Sequence, residues 1–229
     1  MKIFNFGLNL EPGKYKYKGE YFDKLVEKFT PQKNTPFTVE FIVDEIERAD
    51  AVVFAADKKL DFILIDLEKI EKRLARCEDE AEKGILGKAQ KLLEQEILLC
   101  DSQFLASEQE TFKLLQLVTH KPSIAREGAD DLEGLVKDVL DKAGMILFFT
   151  VGKKEVHSWS LPEGEVVLEA AGKIHSDLKR GFIKADVVNC KELDNFFNMA
   201  EARSRGFVKT VDRDYIVEAD DIIEVRFNV

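Results

Sequence analysis

Five basic residues fall within twelve positions near the carboxyl end of this sequence: Lys173, His175, Lys179, Arg180 and Lys184, with Phe182 among them. Clustered cations of this kind neutralise phosphates, and an aromatic ring beside them stacks on a base, so the chemistry they offer is RNA binding. A second group, Arg203, Arg205, Lys209 and Arg213, lies in an expected loop. Residues 145–229 hold 12 Lys and Arg against 15 Asp and Glu, so any such binding must rest on one face. His175 has two readings, a phosphate contact or a helix-packing or capping residue. Gly172 and Gly181 read as turn or helix-end residues. Trp159, the single Trp, sits in an alternating strand; it reads as core or half-buried, and exposure would mark a partner site. Cys77, Cys100 and Cys190 are far apart, with no CxxC pair and no base close in sequence, which fits a reducing compartment and gives no metal site or nucleophile. Three isolated His residues make no zinc site.

The elements that must position these residues follow from patterning. The 229 residues carry 34 Lys and Arg against 44 Asp and Glu, a net charge of -10, which excludes a global basic field but not a local patch. Forty-five per cent apolar content with 17 Phe is ample for a core and argues against disorder. No apolar run approaches the roughly 18 residues of a membrane span, and the first residues lack a leader pattern; the expectation is a soluble, acidic, cytoplasmic protein with no membrane association. Lys2–Leu8 reads as a strand and Glu11-Pro12-Gly13 as a turn. Tyr21–Phe29 reads as an amphipathic helix, with Phe22, Leu25, Val26 and Phe29 on one face. Phe37–Val43 and Ala51–Ala56 read as strands, the second apolar enough to be buried on both faces. Leu60, Ile63, Leu67, Ile70, Leu74 and Cys77 form a heptad seam, and Leu86, Ala89, Leu93, Ile97 and Cys100 a return helix, together an antiparallel helical hairpin. Ser107 with Glu110 starts a third helix. Past residue 145, strands at Met145–Thr150, Glu155–Leu161 and Phe182–Val188 surround a helix at Val166–Leu178. The chain closes on a strand with Ile223, Val225, Phe227 and Val229 inward. This is a small α+β domain.

The segment VGKKEVHSWSLPEGEVVLEAAGKIHSDLKRGFIKADVV, followed by RDYIVEADDIIEVRFNV, closely resembles the carboxyl end of the YchF subfamily of Obg-like (TRAFAC class) P-loop NTPases. The family pattern there is AGKIHxDxxxGFIRAEV, then KDYxVxDGDxxxFxFNV. It is matched by Ala171-Gly172-Lys173-Ile174-His175, Asp177, Gly181-Phe182-Ile183, Asp214-Tyr215 and Phe227-Asn228-Val229. The resemblance implies a TGS domain, a β-grasp module associated with RNA and the ribosome. FDKLVEKFTPQKNTPFTVEF, ERADAVVFAADKKLD and FKLLQLVTHKPSI resemble earlier stretches of the same family, the last as the exit from its coiled-coil insert.

Pieces of the family pattern are absent. A P-loop needs GxxxxGK[ST], whose amides wrap phosphates while Lys reaches them and the hydroxyl holds Mg²⁺. The corresponding stretch here runs from Gly7 to Gly13-Lys14-Tyr15, with five intervening residues, Tyr in place of the hydroxyl residue, and Pro12 removing an amide. No glycine follows Asp44, and no Asn stands in SIAREGA, where the family reads its base. The expected fold is α/β plus α+β. Residues 1–144 form a truncated P-loop-NTPase-like α/β core with the helical hairpin insert at 58–121, and residues 145–229 a β-grasp (TGS-like) domain. The expected protein is not an enzyme and takes no cofactor. Its RNA-binding candidates are Lys173, His175, Lys179, Arg180, Phe182, Lys184, Arg203 and Arg205; Gly7, Gly13 and Lys14 are a vestigial nucleotide loop. The expected partner is the ribosome or RNA in translation or stress regulation. The alternatives are a protein adaptor docking through the hairpin and a residual weak ATP or GTP switch, and homodimerisation is one way to cover apolar surface left by the missing pieces.

Overall fold

The computed structural model describes residues 1–228. In chain order its elements begin with β1 (Lys2–Phe6), β2 (Gly13–Tyr17), α1 (Phe22–Phe29), β3 (Lys33–Thr35), β4 (Phe37–Ile42) and β5 (Ala51–Ala55). The helices α2 (Lys59–Leu74), α3 (Glu80–Glu94) and α4 (Ala106–Leu114) come next, then β6 (Ser123–Arg126) and α5 (Leu132–Lys142). The remainder is β7 (Met145–Val151), β8 (Glu155–Pro162), α6 (Val167–Ile174), α7 (Ser176–Arg180), β9 (Phe182–Asn189), α8 (Met199–Ser204), β10 (Lys209–Val211) and β11 (Asp221–Phe227). Backbone contacts divide the chain into two compact units, residues 1–15 with 39–143 and residues 16–38 with 144–229. The sequence reading draws one boundary after residue 144; in the structure α1 and β3 also group with the carboxyl-terminal unit, because the apolar stripe of α1 is buried there. No helix among the described residues is long and apolar enough to cross a membrane.

The first sheet has the order β2-β4-β1-β5-β6, with β1 parallel to β4 and β5, and β5 parallel to β6. All five residues of β5 are buried, as its AVVFA run requires for a strand flanked by parallel neighbours and covered on both faces. On one side Phe54 stacks on Phe62 of α2 at 5.1 Å, and Ile63, Ile70, Leu86, Ala89 and Leu93 complete the cluster that packs α2 with α3. On α5, Leu135, Val136, Val139 and Leu140 are buried. The heptad seam is only partly used: Ile63 and Ile70 are buried, but Leu60 is 57% exposed. The start of α4 also differs, since Glu108 rather than Glu110 reaches back to accept from the Leu105 amide at 2.6 Å. Asp66 on α2 is fully buried and accepts from the amides of Val118 and Thr119 and from the Thr119 hydroxyl at 2.6–2.9 Å, fixing the turn before β6.

The second sheet has the order β10-β9-β11-β7-β8-β3. The hairpin β7–β8 is antiparallel, β11 is parallel to β7, and β9 is antiparallel to β11. Successive residues of β7 serve opposite faces. Phe149 packs with Phe22 and Leu25 of α1, while Phe148 packs with Val167, Ala170 and Ala171 of α6. At Gly181 a Cβ would come within 2.3 Å of the Asn228 carbonyl oxygen, so only glycine lets α7 turn into β9 beside the last strand. The last strand is less regular than its alternation predicts: Ile223 is buried, Phe227 is 48% exposed beside a register shift between Arg226 and Phe227, and Val229 lies outside the described residues. Trp159 is half-buried, its indole N–H donating to Thr150 at 3.1 Å and its ring stacked on His157 at 3.7 Å.

Candidate RNA interface

The predicted helix over Val166–Leu178 is two helices, α6 and α7, broken at His175, whose backbone is extended. Its imidazole Nδ1 accepts from the Asp177 amide at 3.1 Å and caps α7, the capping alternative of its two readings. With the end of β8 these helices border a groove of about 430 Å³ lined by Leu161, Glu165, Glu169, Gly172, Lys173 and Lys179. Gly172 leaves room for the Lys179 side chain, whose Cδ would stand 2.9 Å from a Cβ there. Lys179 crosses to Glu169, its ammonium 2.6 Å from both carboxylate oxygens.

Most of the predicted cations are paired. Arg180 meets Asp177 at 2.9 Å and Lys184 meets Asp212 at 3.4 Å. Arg205 meets Glu201 at 3.3 Å and lies over the Phe207 ring. Arg203 donates to Glu224 at 2.6 Å and to Asp186 at 3.0 Å. Apart from Arg203–Asp186, whose carboxylate is buried, these pairs are exposed on at least one side and so are worth little to stability. A phosphate can therefore displace one of these carboxylates at small cost. Lys173, Lys209 and Arg213 are exposed and carry no ion pair among the described residues. Phe182 does not fit its expected role as a stacking platform. It is buried against Ala185, Val187 and Ile223, because position 182 falls on the core-facing side of β9.

Sequence reasoning missed the hub that holds these basic residues. Asp186 on β9, 1% exposed, accepts from Arg226 at 2.7 Å, Thr210 at 2.7 Å and Arg203 at 3.0 Å. Burial opposes its ionisation, but the bonds from Arg226, Thr210 and Arg203 outweigh that and hold the carboxyl below the ordinary aspartate value. A second anchor is Asp221, buried, which accepts from Tyr215 at 3.0 Å, the Glu218 amide at 3.1 Å and Asn189 at 3.0 Å. Burial raises both the Asp221 carboxyl and the Tyr215 phenol. The only sequence signal for either was an Asp inside an otherwise apolar strand.

In the amino-terminal unit the predicted vestigial nucleotide loop is divided between a loop and a strand. Gly7, with φ of 85°, opens the loop after β1, beside the Lys58 side chain, while Gly13 and Lys14 belong to β2. The Asn5 side chain ties the loop, accepting from the Leu8 amide at 3.1 Å and donating to the Leu8 and Leu10 carbonyls at 3.0 and 2.9 Å. The Tyr15 hydroxyl donates to Glu133 at 2.9 Å; burial, then Glu133 and Asp131, push its pKa up to about 12. That hydroxyl is therefore occupied and does not fit the metal-holding role of a P-loop Ser or Thr.

Residues 145–228 match the family model YchF-GTPase_C, described as "Protein of unknown function (DUF933)". The chain is 28% identical to the "Ribosome-binding ATPase YchF" of Bacillus subtilis (strain 168), over 74% of this chain and 65% of that protein. It is 42% identical to the "Obg-like ATPase homolog" of Saccharomyces cerevisiae, over 34% of this chain and 20% of that protein. The chain thus spans less than two thirds of the length of these curated relatives. Among solved structures, the Schizosaccharomyces pombe YchF GTPase superposes with a TM-score of 0.75 at 16% identity, covering 95% of this chain and 88% of that one, which shows a shared fold. The chain is thus similar to YchF and Obg-like proteins, with the family-model match confined to residues 145–228. These likenesses also correct one expectation. The sequence reading excluded an enzyme because its motifs are altered; the relatives it resembles are named ATPases, which overturns that exclusion.

Proposed function

We propose that this chain is a cytoplasmic, ribosome- or RNA-associated member of the YchF lineage, and that its carboxyl-terminal unit is a TGS-type β-grasp domain facing RNA. The observation that carries this reading is the family match over 145–228, on a unit whose central strands run β8-β7-β11-β9 around the α6 crossover. That order, second-first-fourth-third in chain order with a mixed sheet, is the β-grasp arrangement. The ribosome-binding name of the Bacillus relative supports the partner. Within the unit, Lys173, Lys209 and Arg213 are the cations free to meet phosphate. Lys179, Arg180, Lys184 and Arg205 exchange an exposed carboxylate for phosphate, Arg203 stays on Asp186 and can give up only Glu224, and His175 stiffens the α6–α7 corner. The packed pair α2 and α3 stands as the coiled-coil-like hairpin arm of this reading.

The test is co-sedimentation of the purified chain with ribosomes across a salt series. The expected result is pelleting at low salt that weakens steadily as salt rises, the mark of phosphate contacts. No pelleting at low salt contradicts the proposal.

A nucleotide is the second ligand to test, favoured by the ATPase names of the relatives. In open parallel sheets ligands sit beyond the carboxyl ends of the strands. Here that is where Gly7 after β1 meets Lys58 after β5. The expected result is measurable heat on calorimetric titration with ATP, with or without Mg²⁺. A flat titration at millimolar ATP contradicts this reading.

A further inference from the structure

The most regular positive feature of this acidic chain lies on β2, apart in sequence from Lys173, Lys209 and Arg213. The strand β2 and the residue after it read Gly-Lys-Tyr-Lys-Tyr-Lys, residues 13–18. Lys14, Lys16 and Lys18 are exposed, while Tyr17 between them is 7% exposed and Tyr15 is held by Glu133. Alternation along a strand puts the lysines on one side and the tyrosines on the other. The tyrosines are the anchor: they commit their side to burial and leave the opposite side with a row of ammonium groups. Alternate residues of a strand stand about 6.6 Å apart, comparable to the step between successive phosphates of an extended single strand. Lys14 and Lys16 carry no ion pair among the described residues, and Lys18 has an exposed partner, Asp23 at 3.0 Å. β2 is also the edge strand of its sheet.

We propose that β2 is a binding strand for the phosphodiester backbone of single-stranded RNA, with Lys14, Lys16 and Lys18 contacting successive phosphates. The identity of the polyanion rests on the RNA-binding reading above, but the contact residues are new and belong to one short stretch of backbone. Lys14, which in the sequence looked like the remnant of a nucleotide loop, becomes the first member of this row. Glu11 and Glu20 flank the row and limit it to about three phosphates. The match of spacing favours a nucleic acid over an acidic peptide, because a paired strand's carboxylates are set by its own sequence while phosphates recur at every step.

The experiment is fluorescence anisotropy with a labelled oligouridylate, across a salt series. It compares the full chain with K14Q/K16Q/K18Q, a charge-keeping K14R/K16R/K18R variant, and K173E/K209E/R213E among residues 145–228. The glutamine variant is expected to bind at least about tenfold more weakly. Its slope of log K against log salt falls by about 2, as three lost single-strand phosphate contacts require, and the arginine variant stays close to the parent. If the glutamine variant binds like the parent with the same slope, the proposal is overturned. Loss only in the K173E/K209E/R213E variant overturns it too, while leaving the RNA reading of the carboxyl-terminal unit standing. If the parent itself fails to bind, both fall. If the glutamine variant keeps its affinity but self-associates, the lysines serve to guard a free sheet edge, and the proposal is overturned in that way.

Discussion

Replacing Asp66 by alanine is expected to lower the stability of the amino-terminal unit by about 3–5 kcal/mol, the cost of leaving several buried donors without an acceptor. The carboxylate joins helix α2 to the turn before β6, taking the Val118 and Thr119 amides and the Thr119 hydroxyl together. Alanine strands all three donors where no water reaches. Asparagine does not rescue the site, since its amide nitrogen would face a donor. Burial raises the Asp66 carboxyl, against the lowering effect of these bonds. An acid whose folded pKa is raised loses stability as pH rises from the ordinary aspartate value towards the folded one. Asp66 is thus retained for the connection it makes in spite of its charge. The check is a melt followed by circular dichroism, together with hydrogen exchange. The expected loss is roughly 10 °C, with protection falling first in α2 and around 117–120. A melt within about 2 °C of the parent contradicts this account of the turn.

The second large effect is expected at Asp186. Asp186→Ala removes the common acceptor of Arg203, Arg226 and Thr210, and the cost is about 2–3 kcal/mol. The figure stays below that for Asp66 because the two arginine side chains are 40% and 52% exposed and keep water when their partner goes. The pH dependence has the opposite sign to that of Asp66. Asp186 is held below the ordinary value, so its contribution is present above the ordinary aspartate pKa and lost as pH falls through the depressed one. The parent is expected to lose stability on acidification below about pH 4 in part through this group, and Asp186→Asn to lose that part of the slope. Equal acid sensitivity in parent and variant contradicts the assignment. The same substitution releases two arginines beside the proposed RNA surface, so it is expected to weaken the fold without weakening RNA binding at temperatures well below the melt.

Much of this architecture was legible because it is set by local periodicity. The buried β5 announced itself by five apolar residues in a row, α1 by its stripe of Phe22 and Leu25, and the β7–β8–β9–β11 set by runs bounded with Gly and Pro. The strand β2 was not legible, because Lys-Tyr alternation carries no apolar face until Tyr17 is seen to be buried. Helix α5 was passed over beside the louder heptads of α2 and α3, although Leu135, Val136, Val139 and Leu140 have helical spacing and Asp131 caps it through the Gly134 amide. The break at His175 was hidden because the helical apolar pattern continues through Ile174 and Leu178 into α7.

At the candidate site, sequence proximity identified the cations but not their partners. Glu169, Asp212 and Glu224 come from other elements, and only the fold shows that they occupy Lys179, Lys184 and Arg203, while Asp177 and Glu201 stand one helical turn before Arg180 and Arg205. Phe182 was misread because an aromatic among lysines looks exposed until the parity of β9 is known. The hydrolase question was misjudged for a different reason. The three altered motifs, the Gly7–Tyr15 loop, Asp44 without its glycine and SIAREGA without its Asn, describe short stretches, whereas the similar proteins are named ATPases.

The carboxyl-terminal unit is proposed to meet the ribosome through Lys173, Lys209 and Arg213, which no carboxylate holds among the described residues. The most direct test is co-sedimentation with ribosomes of the parent beside K173E/K209E/R213E, with circular dichroism verifying that the variant is folded. The expected result is salt-sensitive pelleting of the parent and its loss in the variant at the same salt. Pelleting of the variant equal to that of the parent, at every salt concentration, contradicts the account.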